Sequence, residues 1–142
     1  MPLDSESQKR LRNITAGIVE ATNNRNFDLN STPWKTCFAP QFLAGPFPPT
    51  MPQKLTLEKW LDHLAWEASQ APEWKIEILD SDPVPGQTKN SASLYFNFGA
   101  TGRVPDGIQW RSVGVFDFQC FSGEWLAIAY RGFDGHGGVE MF

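Results

Sequence analysis

Apolar residues recur at intervals of three and four near the start of the chain. Leu11, Ile14, Ile18 and Thr22 line one helical stripe, with Lys9, Arg10 and Arg12 mostly outside it. Ser5 or Ser7 supplies a capping hydroxyl, and Asn23-Asn24-Arg25-Asn26, rich in residues that favour turns over helix interiors, ends the helix. Ser31-Thr32-Pro33-Trp34-Lys35-Thr36-Cys37-Phe38 sets a hydroxyl before a proline suited to a first helical turn, which predicts a short second helix ended before Pro40. From Ala44 to Gln53 the ring-locked Pro46, Pro48, Pro49 and Pro52 exclude a helix or a central strand and leave a loop. Phe47 and Met51 within it allow two readings, a lid over a pocket mouth or a plain connection. Thr56 then caps the clearest helix, whose apolar face holds Leu57, Trp60, Leu61, Leu64, Ala65 and Ala68. His63, Trp66 and Glu67 share a flank of it, placing an imidazole beside an indole and a carboxylate, with a plain solvated flank as the alternative.

The second half changes period. Partial alternation predicts strands over Trp74 to Leu79, Ser91 to Phe98, Ile108 to Phe121 and Glu124 to Phe133. Pro83-Val84-Pro85-Gly86 and Val104-Pro105-Asp106-Gly107 read as connections, and Ser122-Gly123 as a tight hairpin turn that uses glycine's access to positive φ. Helices first and strands second define an α+β class, here a curved antiparallel sheet forming a cone around N-terminal helices. Such a cone encloses a concave, apolar place of the kind that holds small ligands. No repeat or linker divides the chain, so residues 1–142 read as one domain, a size at which folding hides roughly 68–70% of the unfolded surface.

Charge and motifs narrow the chemistry. A net charge of −4 and a pI near 5.1 offer no basic footprint for nucleic acid. No apolar run approaches the length of a membrane span, and the polar start from Met1 to Arg10 lacks a secretion signal's apolar stretch, so a soluble, cytoplasmic protein is expected. In that setting the sequons at Asn13 and Asn30 carry no weight, and Cys37 and Cys120, far apart and without metal-ligand spacing, read as reduced thiols. No GxSxG elbow, HExxH pair or phosphate-cradling glycine loop occurs, and His63 and His136 are too few for a histidine-rich zinc site. No cofactor and no metal are expected.

Three segments carry a family resemblance: Asn26-Phe27-Asp28-Leu29 leading to Phe38-Ala39-Pro40-Gln41-Phe42, the helix Leu57 to Ala68, and the final hairpin from Gly123 to Asp134. In these the chain resembles the nuclear transport factor 2-like superfamily, in its SnoaL-like branch. Where the family's hairpin has a basic residue and an isoleucine after the glycine, Glu124 and Trp125 stand here. The resemblance implies a strongly bent sheet around a long helix, with functional side chains projecting into the cone. It also implies mostly cofactor-free enzymes alongside pure binding or dimerisation modules. Fungal members similar in size and terminal pattern isomerise, rearrange, cyclise or dehydrate polycyclic natural-product intermediates.

Matching Cys120-Phe121-Ser122-Gly123 to the family's hairpin puts Cys120 inside. The period of two then turns Phe118, Phe116, Gly114, Ser112 and Trp110 inward, and Ile128 and Tyr130 with them. Gly114, lacking a side chain, either leaves room for a ligand near Trp110 and Ser112 or marks a bulge. Leu94, Phe96 and Phe98 alternate with Ser93, Tyr95 and Asn97, so Tyr95 and Asn97 either reach into the cone or lie outside it, while Arg111 and Asp117 read as surface charges. The expected function is a cofactor-independent isomerase or cyclase acting on an apolar, oxygenated secondary-metabolite intermediate. His63 would carry protons, because an unperturbed imidazole titrates near neutral pH, and Tyr130 and Asp134 would orient or polarise the substrate. Trp34, Phe38, Trp66, Tyr95, Trp110, Ser112 and Gly114 would bind it. The alternative for Tyr130 is a core tyrosine with a satisfied hydroxyl, and for Asp134 a solvated turn carboxylate. The alternative for the whole chain is a non-catalytic binding or dimerisation module. A small molecule and a second copy of the chain are the expected partners, nucleic acid and membrane are not, and the dimer is expected through the outer face of the sheet, where Val113, Val115 and Phe121 are apolar.

Overall fold

The computed structural model describes residues 2–47, 51–102 and 109–134, with only the backbone described for Phe133 and Asp134. Helix α1 (Ser5–Asn23) buries Leu11, Ile14, Thr15, Ile18, Ala21 and Thr22, the stripe that the spacing predicts. Its two buried threonines stay satisfied by donating to the carbonyls one turn back, Thr15 to Leu11 at 3.1 Å and Thr22 to Ile18 at 2.9 Å. The cap is Asp4 rather than Ser5 or Ser7. Its carboxylate accepts from the Ser7 N–H at 2.7 Å, which leaves the Ser7 hydroxyl to accept from the Trp125 indole N–H at 3.2 Å. Helix α2 (Leu57–Gln70) starts at its expected cap, Thr56, and buries Trp60, Leu61, Glu67 and Ala68.

Six strands form one sheet in the order β2-β1-β6-β5-β4-β3. Strands β3 (Lys75–Pro85), β4 (Ser91–Thr101), β5 (Trp110–Phe121) and β6 (Glu124–Asp134) make the expected antiparallel meander. Pro83, Val84 and Pro85, read from sequence as a connection, are instead the end of β3. An edge strand has free backbone positions where proline's missing N–H does no harm. The connection Val104 to Gly107 lies outside the described residues, as does Ile108.

Two strands were not foreseen. The short helix expected over Ser31 to Phe38 is a run of turns, and Phe38–Ala44 is strand β1, which runs parallel to β6 and antiparallel to β2 (Leu55–Thr56). The sheet is therefore mostly, not wholly, antiparallel. The β1–β6 register breaks between Phe38 and Leu43, and the exposed Pro40 falls inside that break, where no ladder bond is lost.

A second irregularity corrects the inward pattern of β6. Asp117 pairs with Ala129 but Phe118 pairs with Ala127, leaving Ile128 as an extra residue. The alternation shifts by one at that bulge, so Ala127 and Tyr130 share the concave face and Ile128 does not keep phase with Tyr130. Helix α1 packs across the concave face and is pinned to the edge strand, where the Asn23 side-chain amide donates to the Ile76 carbonyl and accepts from the Ile76 N–H, both at 2.8 Å. The core between helices and sheet is largely aromatic. Trp34, Phe38, Phe42, Trp60, Phe96, Phe116 and Phe118 are all buried there.

Candidate functional site

The rim of the concave face is where polar chemistry meets the aromatic core. Tyr130, paired across the ladder with Phe116, stacks its ring 5.1 Å from Trp60 at 25° and 4.8 Å from Phe116. Part of its surface stays accessible, while burial pushes its hydroxyl's pKa upward and keeps the phenol protonated. Its hydroxyl lies over Gly132, 3.3 Å from where a Cβ there would stand, and its ring over Gly114, 3.1 Å from the corresponding position.

His63 and Glu67 lie one turn apart on α2, with Nε2 to Oε1 at 3.4 Å. Glu67 is 7% exposed, so the carboxylate backs the imidazole from the protein side while His63 keeps a partly open face. The His63 ring stacks between two aromatic rings, Phe47 at 6.4 Å and 22°, and Trp66 at 6.3 Å and 20°. Phe47 also lies 6.2 Å from Tyr130. The proline-rich loop thus sets one ring against both His63 and Tyr130, held by a two-bond bridge between Phe47 and Met51. These contacts of Phe47 are compatible with both readings of the segment, a lid over a pocket mouth or a plain connection.

Ser112 completes the inward row of β5. It is 5% exposed, and among the described residues its Oγ has no hydrogen-bond partner. Trp110, half-buried, begins the same row.

Several sequence expectations change. Gly114 leaves no ligand space, because an added Cβ would fall 2.5 Å from Phe96 Cζ: the phenyl ring already fills the gap. Trp34 and Phe38 are core rather than pocket wall. Trp34 is 2% exposed and donates its indole N–H to the Asn26 carbonyl at 2.7 Å, and Phe38 packs against Trp34, Phe42 and Trp60. Tyr95 is on the convex face and 43% exposed, because its neighbours Leu94 and Phe96 take the inward positions of β4. Asn97 shares that outer face and donates to Asp80 at 2.6 Å. Trp66 is 58% exposed and reaches the site only through its stack on His63. Asp134 is opposite Ser112 in the ladder, and its side chain lies outside the described structure, as does His136. Asp117 is the surface charge expected, accepting from Ser93 at 2.6 Å and pairing with Arg131 at 3.1 Å; Arg111 is exposed on the same face. Sequence reasoning missed the burial of Glu67 and the part played by Gly132; the four-residue spacing from His63 was the available signal for the first.

A groove of about 480 Å³ opens elsewhere, lined by Arg25, Phe27, Ala65, Ala68, Ser69 and Pro72. The Arg25 guanidinium donates to the carbonyls of Thr22, Pro72 and Trp74, and the Ser69 hydroxyl to that of Trp66, so both are committed to holding backbone. The rim, not this groove, carries the candidate chemistry. Among the described residues no three His, Cys, Asp or Glu side chains converge, Cys37 and Cys120 are free, and no helix is long and apolar enough to cross a membrane.

No family model and no curated protein matches the chain in sequence. Solved structures do match in shape. A cystatin-like protein of unknown function from Nostoc punctiforme superposes with a TM-score of 0.73 at 10% identity, covering 96% of this chain and 97% of that one. A nuclear transport factor 2-like protein of unknown function from Pseudomonas putida gives 0.72 at 9%, covering 93% and 89%. An uncharacterised cystatin-like protein from Caulobacter vibrioides gives 0.72 at 12%, covering 92% and 90%. The fold is α+β of the cystatin-like, nuclear transport factor 2-like kind, as the resemblance implied. At these identities the likeness speaks for fold alone.

Proposed function

We propose that the chain is a cofactor-independent enzyme of the SnoaL-like kind, an isomerase or cyclase that moves protons on an apolar, oxygenated small molecule of secondary-metabolite type. One observation carries the reading: His63, backed by the buried Glu67, and Tyr130, held protonated by burial, flank the same Phe47 ring at the rim of the cone. An imidazole takes and returns a proton near neutral pH, and the carboxylate behind it fixes its orientation. The phenol donates to the oxygen on which charge develops, an interaction strongest in a dry site. Asp134 remains the candidate third group on β6. Rearrangement, cyclisation and dehydration all need these same elements.

The test is deuterium exchange into an enolisable aryl ketone, α-tetralone, followed by NMR in D₂O. Exchange well above buffer, falling by about 100-fold or more in the His63→Ala/Tyr130→Phe double variant, is expected. A double variant within a few-fold of the unaltered protein sinks the reading.

A second reading has its own support. The centre of the cone is filled by side chains, with Trp34, Phe42, Phe116 and Phe118 essentially sealed from solvent, and the convex face exposes Tyr95 and Phe121. A binding or dimerisation module needs no more than this.

A further inference from the structure

We propose that the groove beside the turn after α1 is a binding site for a small monocarboxylate with an apolar body, whose anionic end is held by the Arg25 guanidinium. The site lies apart from the rim and stands whether or not a proton moves there.

Groove and rim occupy opposite flanks of one helix. At 3.6 residues per turn, α2 turns His63, Trp66 and Glu67 one way and Ala65, Ala68 and Ser69 the other. The space on that second flank, about 480 Å³, falls within the range of about 300–1,000 Å³ usual for ligand clefts. The centre of the cone is filled by rings, whereas this space is open. Its apolar walls are Phe27, Ala65, Ala68 and Pro72, and through Ala68 and Phe27 it adjoins the small second core around Trp74 and Ala100.

Arg25 supplies the charged wall. Its backbone is left-handed, at φ 61°, and its guanidinium donates to the carbonyls of Thr22 at 3.3 Å, Pro72 at 2.9 Å and Trp74 at 2.7 Å while lying 5.8 Å over the Trp74 ring. These contacts fix where the cation stands before any ligand arrives, so little side-chain freedom is left to lose on binding. They occupy at most three of its five N–H donors. The carbonyls are neutral, and among the described residues no carboxylate is paired with Arg25. A half-buried cation beside apolar walls attracts a carboxylate more strongly than an exposed one does, because solvent and salt screen the pair less.

Charge and wall chemistry fix the ligand class. One guanidinium balances one negative charge, and the Ser69 hydroxyl, already donating to the Trp66 carbonyl, adds no second donor for a phosphate dianion. An uncharged apolar molecule would cover Phe27 and Pro72 but shield the remaining guanidinium N–H groups from water without giving them an acceptor. A monocarboxylate satisfies both walls, its oxygens on Arg25 and its hydrocarbon against Phe27, Ala65, Ala68 and Pro72.

The experiment titrates the full chain by calorimetry with 2-naphthoate, its neutral counterpart 2-naphthalenemethanol and inorganic phosphate, and follows the tryptophan indole N–H resonances by NMR. Naphthoate binding one to one and about tenfold tighter than the alcohol is expected, with no saturable binding of phosphate and with the Trp74 resonance moving more than that of Trp66. Arg25→Gln should bring naphthoate down to the level of the alcohol, and Arg25→Lys, which keeps the charge, should retain part of the preference. Should Arg25→Gln fail to fold, Ala65→Leu decides: it leaves Arg25 untouched, fills the groove, and should weaken naphthoate and the alcohol alike by about tenfold. Equal affinity for naphthoate and the alcohol, saturable phosphate binding, naphthoate binding unchanged in Ala65→Leu, or shifts centred on Trp66 rather than Trp74 would overturn the proposal.

Discussion

Gly114 faces Gly132 across the β5–β6 ladder, and the Tyr130 side chain lies over both. The pair is asymmetric. A methyl at 114 would meet Phe96 at 2.5 and 2.7 Å, inside a packed aromatic layer, whereas at 132 its closest neighbour is the Tyr130 hydroxyl at 3.3 Å. Gly114→Ala is expected to lower unfolding free energy by about 1–3 kcal/mol, the usual consequence of overpacking, and Gly132→Ala by clearly less. Urea unfolding of the two variants side by side checks this. Equal losses would mean that the ring of Phe96 moves aside freely.

Trp34 joins the same core to the turn after α1. Its indole N–H donates to the Asn26 carbonyl at 2.7 Å, and its ring meets Trp60 edge-on at 6.2 Å. Trp34→Phe would unpair that carbonyl and open a void, and a loss of about 2–4 kcal/mol is expected in the same assay. A loss below half a kcal/mol would restore the sequence reading of Trp34 as a pocket wall.

What the sequence disclosed follows the range of the interactions involved. The two helices and four later strands rest on local period and on caps such as Thr56, so they were legible from the chain alone. Strand β1 was not, because its ladder partner β6 is nearly ninety positions away and its own segment, Phe38-Ala39-Pro40-Gln41-Phe42, holds a proline and no alternation. Alternation separated Leu94, Phe96 and Phe98 from Tyr95 and Asn97 but left open which set turns inward, a choice made by packing against the core. The same limit applies to the site. Spacing brought His63, Trp66 and Glu67 to one flank, whereas the burial of Glu67 and the approach of Phe47 depend on how a loop closes over the helix.

Asp4 gives a pH-dependent handle on α1. Hydrogen bonds from the Ser7 backbone and side chain hold its carboxyl below the ordinary value of 3.8. A carboxyl whose folded-state pKa lies below its unfolded one adds stability above the unfolded value and loses it as the pH falls through the folded one. Asp4→Asn keeps a capping oxygen that does not titrate. The melting temperature of the unaltered chain should therefore drop relative to Asp4→Asn as the pH falls below about 4, with the gap constant from pH 5 to 7. Parallel melting curves across this range would remove Asp4 from the account of acid stability.

We propose that the dimer expected from sequence forms through the convex face. Tyr95 and Phe121 are exposed there, Val113 is half-buried, and Val115 is sealed on the same side between its ladder partners Tyr95 and Arg131. Twofold dimers are the commonest assembly, and a shared sheet face suits one. Light scattering at micromolar concentration should give twice the 16 kDa chain mass, and Tyr95→Asp should shift the protein toward monomer. A single 16 kDa species from the unaltered chain would refute the dimer.

Turnover, where it is found, should survive exhaustive chelation and need no nucleotide or flavin. The argument lies in the donors. Metal catalysis takes three or more deprotonated ligands converging on a point, and among the described side chains at the rim His63 and Glu67 provide two, already 3.4 Å from each other. The other described polar side chains there, the Tyr130 and Ser112 hydroxyls, are neutral donors better suited to a carbonyl oxygen than to a cation. An imidazole and a phenol can enolise or rearrange a substrate that arrives already activated, because the rate then depends on placing the proton rather than on generating a strong electrophile. Activity measured before and after treatment with a chelator should agree within a factor of about two, and added divalent metal should restore nothing. Loss of turnover on chelation, with recovery on returning one divalent metal, would overturn both the cofactor-free assignment and the roles given to His63 and Tyr130.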